Sequence, residues 1–113
     1  MAVTKLRDAL LGVLPETYHY IAPQQKPAKY IVWGETSVSH EVDADNLTQI
    51  VLVSGELWLY TQDEYDPLVQ SVTDALDEVG ASWRISNIGR ETDTGMIVYG
   101  FVWGIPCGNG EIY

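Results

Sequence analysis

The pattern of hydrophobic and polar residues divides the chain into two helical and five strand-like segments. Residues 47–80 show this most clearly, because a run rich in Val, Leu, Ile, Trp and Tyr precedes an acidic corner and a periodic apolar stretch. Between residues 57 and 60, leucines alternate with aromatic residues, which predicts a strand with two different faces. Ser54-Gly55 interrupts the run. We interpret it as a bulge or bend in one long strand, with a hairpin turn as the alternative.

The acidic corner leads into a helix. Asp66-Pro67 predicts its start, because proline disfavours helical backbone in the residue before it and needs no hydrogen-bond partner at the first helical position. Gly80 predicts its end, since glycine readily takes the left-handed conformation there. The residues between them place one apolar face at helical spacing: Leu68, Val72, Ala75, Leu76 and Val79.

The remaining segments are a first helix and four further strands. An amphipathic helix is expected before Pro15, with Thr4 as its N-cap. The strands are predicted at residues 17–21, 29–35, 81–88 and 96–105, separated by polar connections at 22–29, 36–46 and 89–95. The tail 107–113 is expected to be loose.

The element order predicts an α+β domain. It is α-β-β-β-α-β-β over residues 1–113, a length that suits one domain. Two helices can cover one face of a five-stranded, mainly antiparallel or mixed sheet. Several strands also carry apolar residues on the second face, and a large bare apolar patch is rare on a monomer. We therefore expect a neighbouring subunit to cover part of that face.

Composition narrows the classes of function. The formal net charge is −10, and the chain between Lys29 and Arg84 contains eleven acidic residues and no Lys or Arg. Such a surface repels phosphates, so direct nucleic-acid binding is not expected. No apolar run approaches the ~20 residues of a membrane helix, and no signal peptide is recognised. Cys107 is the lone cysteine, which fits a small apolar filler in a reducing compartment.

The spacing of Glu41, Asp43 and Asp45 resembles the start of a calcium loop. A loop opening at Asp43 places Thr48 where glycine is needed and Ser54 where glutamate is needed. A solvated loop is therefore the favoured interpretation, and no metal or cofactor is predicted.

Several strings together resemble the small tail-completion proteins of long-tailed phages and prophages, also called tail-terminator, head-to-tail joining or minor tail proteins. They are LRDALLGVLPETYHYIAPQQ, KYIVWGE, the Asp45-Asn46 start of the long strand, LYTQDEYDPLVQSVTDAL and WRISNI. They span nearly the whole chain and consist of core positions and caps, with no reactive group.

The resemblance implies a structural protein without enzymatic activity. Members form rings, commonly hexameric and in some cases assembled only on the tail, which cap the tail tube and dock it to the head connector. The implied partners are further copies of the chain, the tail-tube protein and the head-connector proteins, and the implied location is the virion tail, with assembly in the host cytoplasm.

An acidic lumen would let DNA slide through such a ring without sticking. We therefore expect one of two acidic segments to face the lumen or a partner ring. One segment contains Glu41, Asp43 and Asp45, and the other contains Asp63, Glu64 and Asp66.

Two other classes of function stay open at this stage. A small hydrolase would need acid–base groups, and His19, His40 and the many carboxylates are candidates, but no nucleophile or phosphate-loop motif accompanies them. The other class is a non-viral adaptor or inhibitor that binds a basic partner with its acidic face.

Overall fold

The computed structural model describes residues 2–42, 49–108 and 111–113, and it confirms the predicted order of elements. The helices and strands are α1 (Ala2–Val13), β1 (Thr17–His19), β2 (Tyr30–Val42), β3 (Gln49–Thr61), α2 (Leu68–Glu78), β4 (Ser82–Arg90) and β5 (Ile97–Gly108).

The five strands form one mixed sheet in the order β1-β2-β3-β5-β4. The short β1 runs parallel to β2, and every other neighbouring pair is antiparallel. The predicted fold class is confirmed. The long strands give the molecule an extended shape of 52 × 22 × 21 Å.

The core lies between the two helices and one face of the sheet. The bulky residues of β5 point into it, and they alternate with smaller residues that point to the other face. Burying each large apolar side chain contributes roughly 1.5–3 kcal/mol, so this layer dominates the stability. Its members from the sheet are Ile31, Trp33, Val51, Val53, Leu57, Leu59, Phe101, Trp103, Ile105 and Cys107, and the helices add Val3, Leu6, Leu10, Val72 and Leu76.

The polar connection predicted at residues 36–46 is wrong over its first half. β2 continues through Thr36 to Val42 and pairs with β3 along its length. The described side chains of this half, from Thr36 to His40, are exposed, so polar residues lie on it without a burial penalty. Hydrophobic alternation alone misses such a strand.

The interruption at Ser54-Gly55 does lie within one continuous strand. The bulge itself belongs to β2, where Thr36 is the unpaired residue between Glu35 and Ser37. Gly55 is required for a different reason, because a Cβ there would meet the Gly34 carbonyl and the Trp103 indole.

Two further expectations are corrected at the chain ends. α1 begins at Ala2, so Thr4 lies inside the helix and is not its N-cap. The tail is not loose where it is described: Val3 N–H donates to the Ile112 carbonyl at 2.9 Å, and Ile112 packs against the core. The C-terminus therefore packs against the start of α1.

Candidate subunit interface

The face of the sheet turned away from both helices, called the open face below, carries apolar side chains that are only partly buried. They come from all three long strands. Its main members are Val32, Leu52, Trp58, Tyr60, Val98 and Val102. The expectation that the helices would leave a second apolar face uncovered is confirmed. Self-association through this face stays a prediction.

Glycines let aromatic rings lie directly on the open face. The Trp58 ring occupies the space above Gly100, where an added Cβ would lie 2.5 Å from Cζ3. The Tyr20 ring lies in the same way over Gly34, and its hydroxyl donates to the Glu35 carbonyl at 3.1 Å. Tyr20 adopts φ 68°, a left-handed conformation that turns the chain back over the sheet. Aromatic rings in this position supply flat apolar area, which is common in protein interfaces.

A stacked tyrosine pair extends this aromatic surface toward the end of the sheet. Tyr30 and Tyr60 face each other across β2 and β3 with ring centroids 4.4 Å apart. Burial, then the charge of Tyr60 and Glu91, raises the pKa of Tyr30 to about 12. Its phenol therefore stays neutral at physiological pH.

A shallow groove of about 370 Å³ crosses the open face beside β4. Its walls are formed by Trp58 and Tyr60 on one side and by residues 87–91 on the other, with Val98 at its base. Neither histidine lines it. The groove therefore suits apolar contact with another protein surface better than acid–base chemistry.

Glu41 near the end of β2 and the corner with Asp63, Glu64 and Asp66 after β3 lie at opposite ends of the sheet. β3 connects them, and its thirteen residues span about 40 Å. Glu41 belongs to β2, and Asp43 and Asp45 lie outside the described residues. Of the described residues, the backbone of Glu41 therefore lies far from Asp63, Glu64 and Asp66, and the role of either segment stays a prediction.

Within the acidic corner, Asp66 has a structural role. Its Oδ1 accepts the Leu68 N–H at 2.9 Å, which caps α2 as predicted. Its Oδ2 accepts the Thr61 hydroxyl at 2.6 Å and the Lys29 ammonium at 2.9 Å. The Asp66 side chain is 1% exposed, so among the residues of this corner only Asp63 and Glu64 offer carboxylates to a partner.

The electrostatics of Asp66 follow from these contacts. Burial alone would raise the pKa of its carboxyl, but hydrogen bonds from Thr61, Leu68 N–H and Lys29 outweigh burial and hold it below the usual range. Asp63 also pairs with Lys29, at 2.8 Å, and together the two carboxylates raise the lysine pKa. The corner is therefore a fixed, charged junction between β2, β3 and α2.

Sequence reasoning missed a second polar cluster, around Glu35. His19 Nε2 lies 2.6 Å from Glu35 Oε1, and the Tyr113 hydroxyl donates to Oε2 at 3.1 Å. Burial would raise the pKa of Glu35, but hydrogen bonds, first that with His19, lower it overall. The cluster joins β1, β2 and the C-terminus, and no local pattern signals a contact between residues 35 and 113.

The structure adds two observations on ligands and membranes. Within the described ranges, no group of three or more His, Cys, Asp or Glu side chains is placed to hold a metal ion. No helix in the same part of the chain has the length and apolar character needed to cross a membrane.

Comparison with known proteins reveals similarity at the level of fold. No protein-family model matches the sequence, and no curated protein matches it either. Among solved structures, the chain is similar to one from the virion of a native gene transfer agent particle, with a TM-score of 0.61 and 12% identity. The match covers 95% of this chain and 91% of the other, so the whole architecture is shared.

Proposed function

We propose that this chain is a structural protein of a phage or prophage tail, which forms a ring that ends the tail tube and joins it to the head connector. The observation that carries the proposal is the open face, where Trp58, Tyr60 and their aliphatic neighbours lie uncovered on a sheet. An apolar surface of this kind is normally matched by another protein. The proposed partners are further copies of the chain, the tail-tube protein and the head-connector proteins.

Two further observations support the proposal. The fold is shared along nearly the full length with a chain of a gene transfer agent virion. The sequence strings that resemble tail-completion proteins include the capped start of α2 and most of the strand β4. The proposed role needs no catalytic group. The groove on the open face is lined by apolar and amide groups, with the adjacent residues Arg90 and Glu91 at its end.

The acidic segments fit two docking surfaces. Because Glu41 and the corner with Asp63 and Glu64 lie at opposite ends of the sheet, a ring whose axis runs roughly along the strands would present one segment to the tube and the other to the connector. Carboxylates at both rims would also repel the phosphates of passing DNA. In this proposal Glu41, Asp43 and Asp45 serve one rim, and Asp63 and Glu64 serve the other.

A complementation experiment tests the proposal. Particles produced without this chain are expected to contain tails that are not joined to heads, and the wild-type chain should restore joining. The double variant Asp43→Asn, Asp45→Asn is expected to fold normally but to restore joining poorly. The matched control neutralises Asp8 and Asp74, two exposed acids on the helices, and should restore joining fully.

The outcomes separate the parts of the proposal. Normal particles in the absence of the chain would overturn the tail function and favour an adaptor that acts elsewhere. Joining that depends on the chain but not on the acidic segment would overturn the role of these carboxylates alone.

A further inference from the structure

Both sides of the sheet end in strand edges that have no neighbouring strand within residues 2–42, 49–108 and 111–113. β4 is the last strand on one side, and all nine of its residues are exposed. On the other side, β1 pairs with β2 only as far as Trp33, so the stretch 36–42 is also an edge. Unpaired backbone N–H and C=O groups on an edge are a template for another strand.

Each edge also displays apolar side chains that the helices leave uncovered. Ile85 and Ile88 in β4 are 40% and 65% exposed, and Val38 in β2 is 48% exposed. Their partners on the inner strands, β5 for the isoleucines and β3 for the valine, lie on the helix side of the sheet. Ile85, Ile88 and Val38 therefore extend the core layer to the two rims of the sheet.

The two edges carry opposite charge. β4 contains Arg84 and Arg90 and no acidic residue. The free part of β2 contains Glu41 and leads into the segment with Asp43 and Asp45. Two β4 strands paired along their length would bring arginines toward arginines, which is unfavourable, whereas β4 beside β2 brings opposite charges together.

The strand directions suit this pairing. Three successive antiparallel pairings separate β2 from β4, so these two strands run in opposite directions in the sheet. Val38 and Ile88 are level with Ile105 and Tyr99 of β5, which lie six residues, or about 20 Å, apart along the strands. A neighbouring copy that is rotated about an axis inclined to the strands, as in β-barrels, is displaced along them and brings its β2 beside β4 of the first copy in antiparallel orientation. Such a contact uses a different surface on each copy, and it forms a ring if the rotation closes.

One register aligns Arg84 of β4 with residue 41 of β2. Arg84 and Arg90 are six positions apart, as are Glu35 and Glu41. Between Arg84 and Arg90 one residue, Ser86, is an unpaired bulge, and between Glu35 and Glu41 the unpaired bulge is Thr36. The two stretches therefore have the same length, and in both the end positions lie on opposite faces of the sheet. The register places Arg84 opposite residue 41 and Ile88 opposite Val38. Arg90 then lies beyond the free edge, beside Glu35, whose carboxylate His19 and Tyr113 already hold, so Arg84 and Ile88 set the register.

We infer that the copies of the proposed ring are joined by strand pairing, in which β4 of one copy adds to residues 36–42 of β2 in the next. The inference rests on the proposed function for the ring, and it names the surface that holds the ring together. Backbone hydrogen bonds supply the contact, while the isoleucine, valine and charged positions set its register. The contact between copies does not use the open face.

Disulfide trapping tests the contact. In the variant Val38→Cys, Ile88→Cys the two cysteines of one chain lie on opposite edges, about 14 Å apart across the sheet and about 20 Å apart along the strands, so they cannot bridge within a chain. Mild oxidation of the concentrated protein is expected to give a ladder of dimers, trimers and larger species. The native Cys107 is 2% exposed and does not compete.

Two control variants make the result decisive. Val38→Cys, Leu11→Cys moves one cysteine to an exposed position on α1, and it should give only background dimers. Ile88→Cys alone should also stay monomeric. A ladder no stronger than that of the α1 control would overturn the inference, and so would efficient dimers from Ile88→Cys alone, which indicate pairing between two β4 strands.

A charge exchange tests the register. Arg84→Glu and Glu41→Arg are each expected to weaken association about tenfold, because each places like charges opposite one another. The double variant Arg84→Glu, Glu41→Arg should recover most of the lost association. Arg7→Glu on α1 is the control and should have no effect. Failure of the double variant to recover would overturn the register.

The inference and the proposed function fail in distinguishable ways. A chain that forms the predicted ladder but is absent from tails would contradict the tail function and retain the contact. A chain that forms a ring on tails without the ladder would retain the function and contradict the contact.

Discussion

The ring of Trp58 lies across Gly100 on the neighbouring strand β5, so the indole packs directly against the β5 backbone. This contact flattens the aromatic part of the open face. It also explains why the small residues of β5 point to this face while its bulky residues point to the core.

We predict that Gly100→Ala destabilises the fold by about 1–3 kcal/mol, since its methyl group requires the Trp58 ring to move. Urea unfolding followed by tryptophan fluorescence measures the effect. Gly89→Ala is the matched control, because it lies on the same side of the sheet in β4 with no heavy atom within 4 Å of its added Cβ. Equal effects of the two substitutions would contradict the close contact.

The acidic corner gives a second prediction. Asp66→Ala removes the α2 cap and a charged hydrogen bond to Lys29, and it is expected to cost about 2 kcal/mol or more. Asp63→Ala loses only an exposed partner of the same lysine, so its expected cost is below about 0.5 kcal/mol. Chemical unfolding of the two variants compares them directly. A similar cost for both would contradict the structural role of Asp66.

The stability of the protein should fall in acid. Asp66 and Glu35 have pKa values below their ordinary range in the folded chain, so folding favours their ionised forms. Their contribution is present above the ordinary carboxyl pKa, about 4, and is lost as the pH falls through the lower folded-state values. Asp66→Asn should be less stable at neutral pH and should show a weaker dependence on pH below 4. An unchanged acid profile would contradict the assignment.

The thiol of Cys107 should be unreactive in the folded protein. Its side chain is buried, and burial raises its pKa, so little thiolate is present. We expect a thiol reagent to label the native chain only at the rate of unfolding and the urea-unfolded chain at once. Rapid labelling under native conditions would show that the end of β5 opens easily.

Several features of the fold were predictable from local patterns. Asp66-Pro67 identified the start of α2 because an N-cap and a proline act on adjacent residues, and Gly80 identified its end, where the structure has φ 77°. The alternation of leucines and aromatic residues between positions 57 and 60 predicted the two faces of β3, because successive side chains of a strand point to opposite sides.

Contacts between distant residues were not predictable in this way. The strand character of residues 36–42 depends on pairing with β3, because their own side chains carry no apolar period. The Glu35–Tyr113 contact joins positions 78 residues apart. For Asp66, the sequence indicated the helix cap but not the burial of the side chain, where Thr61 and Lys29 bind its carboxylate. Asp66 was therefore also predicted to face the lumen or a partner ring, although its carboxylate is buried.

Electron microscopy of the particles made by cells that carry this gene tests the central claim most directly. We predict a ring of this chain between the tail tube and the head connector, with the open face covered by protein. Particles with complete, joined tails and no density for this chain would contradict the account.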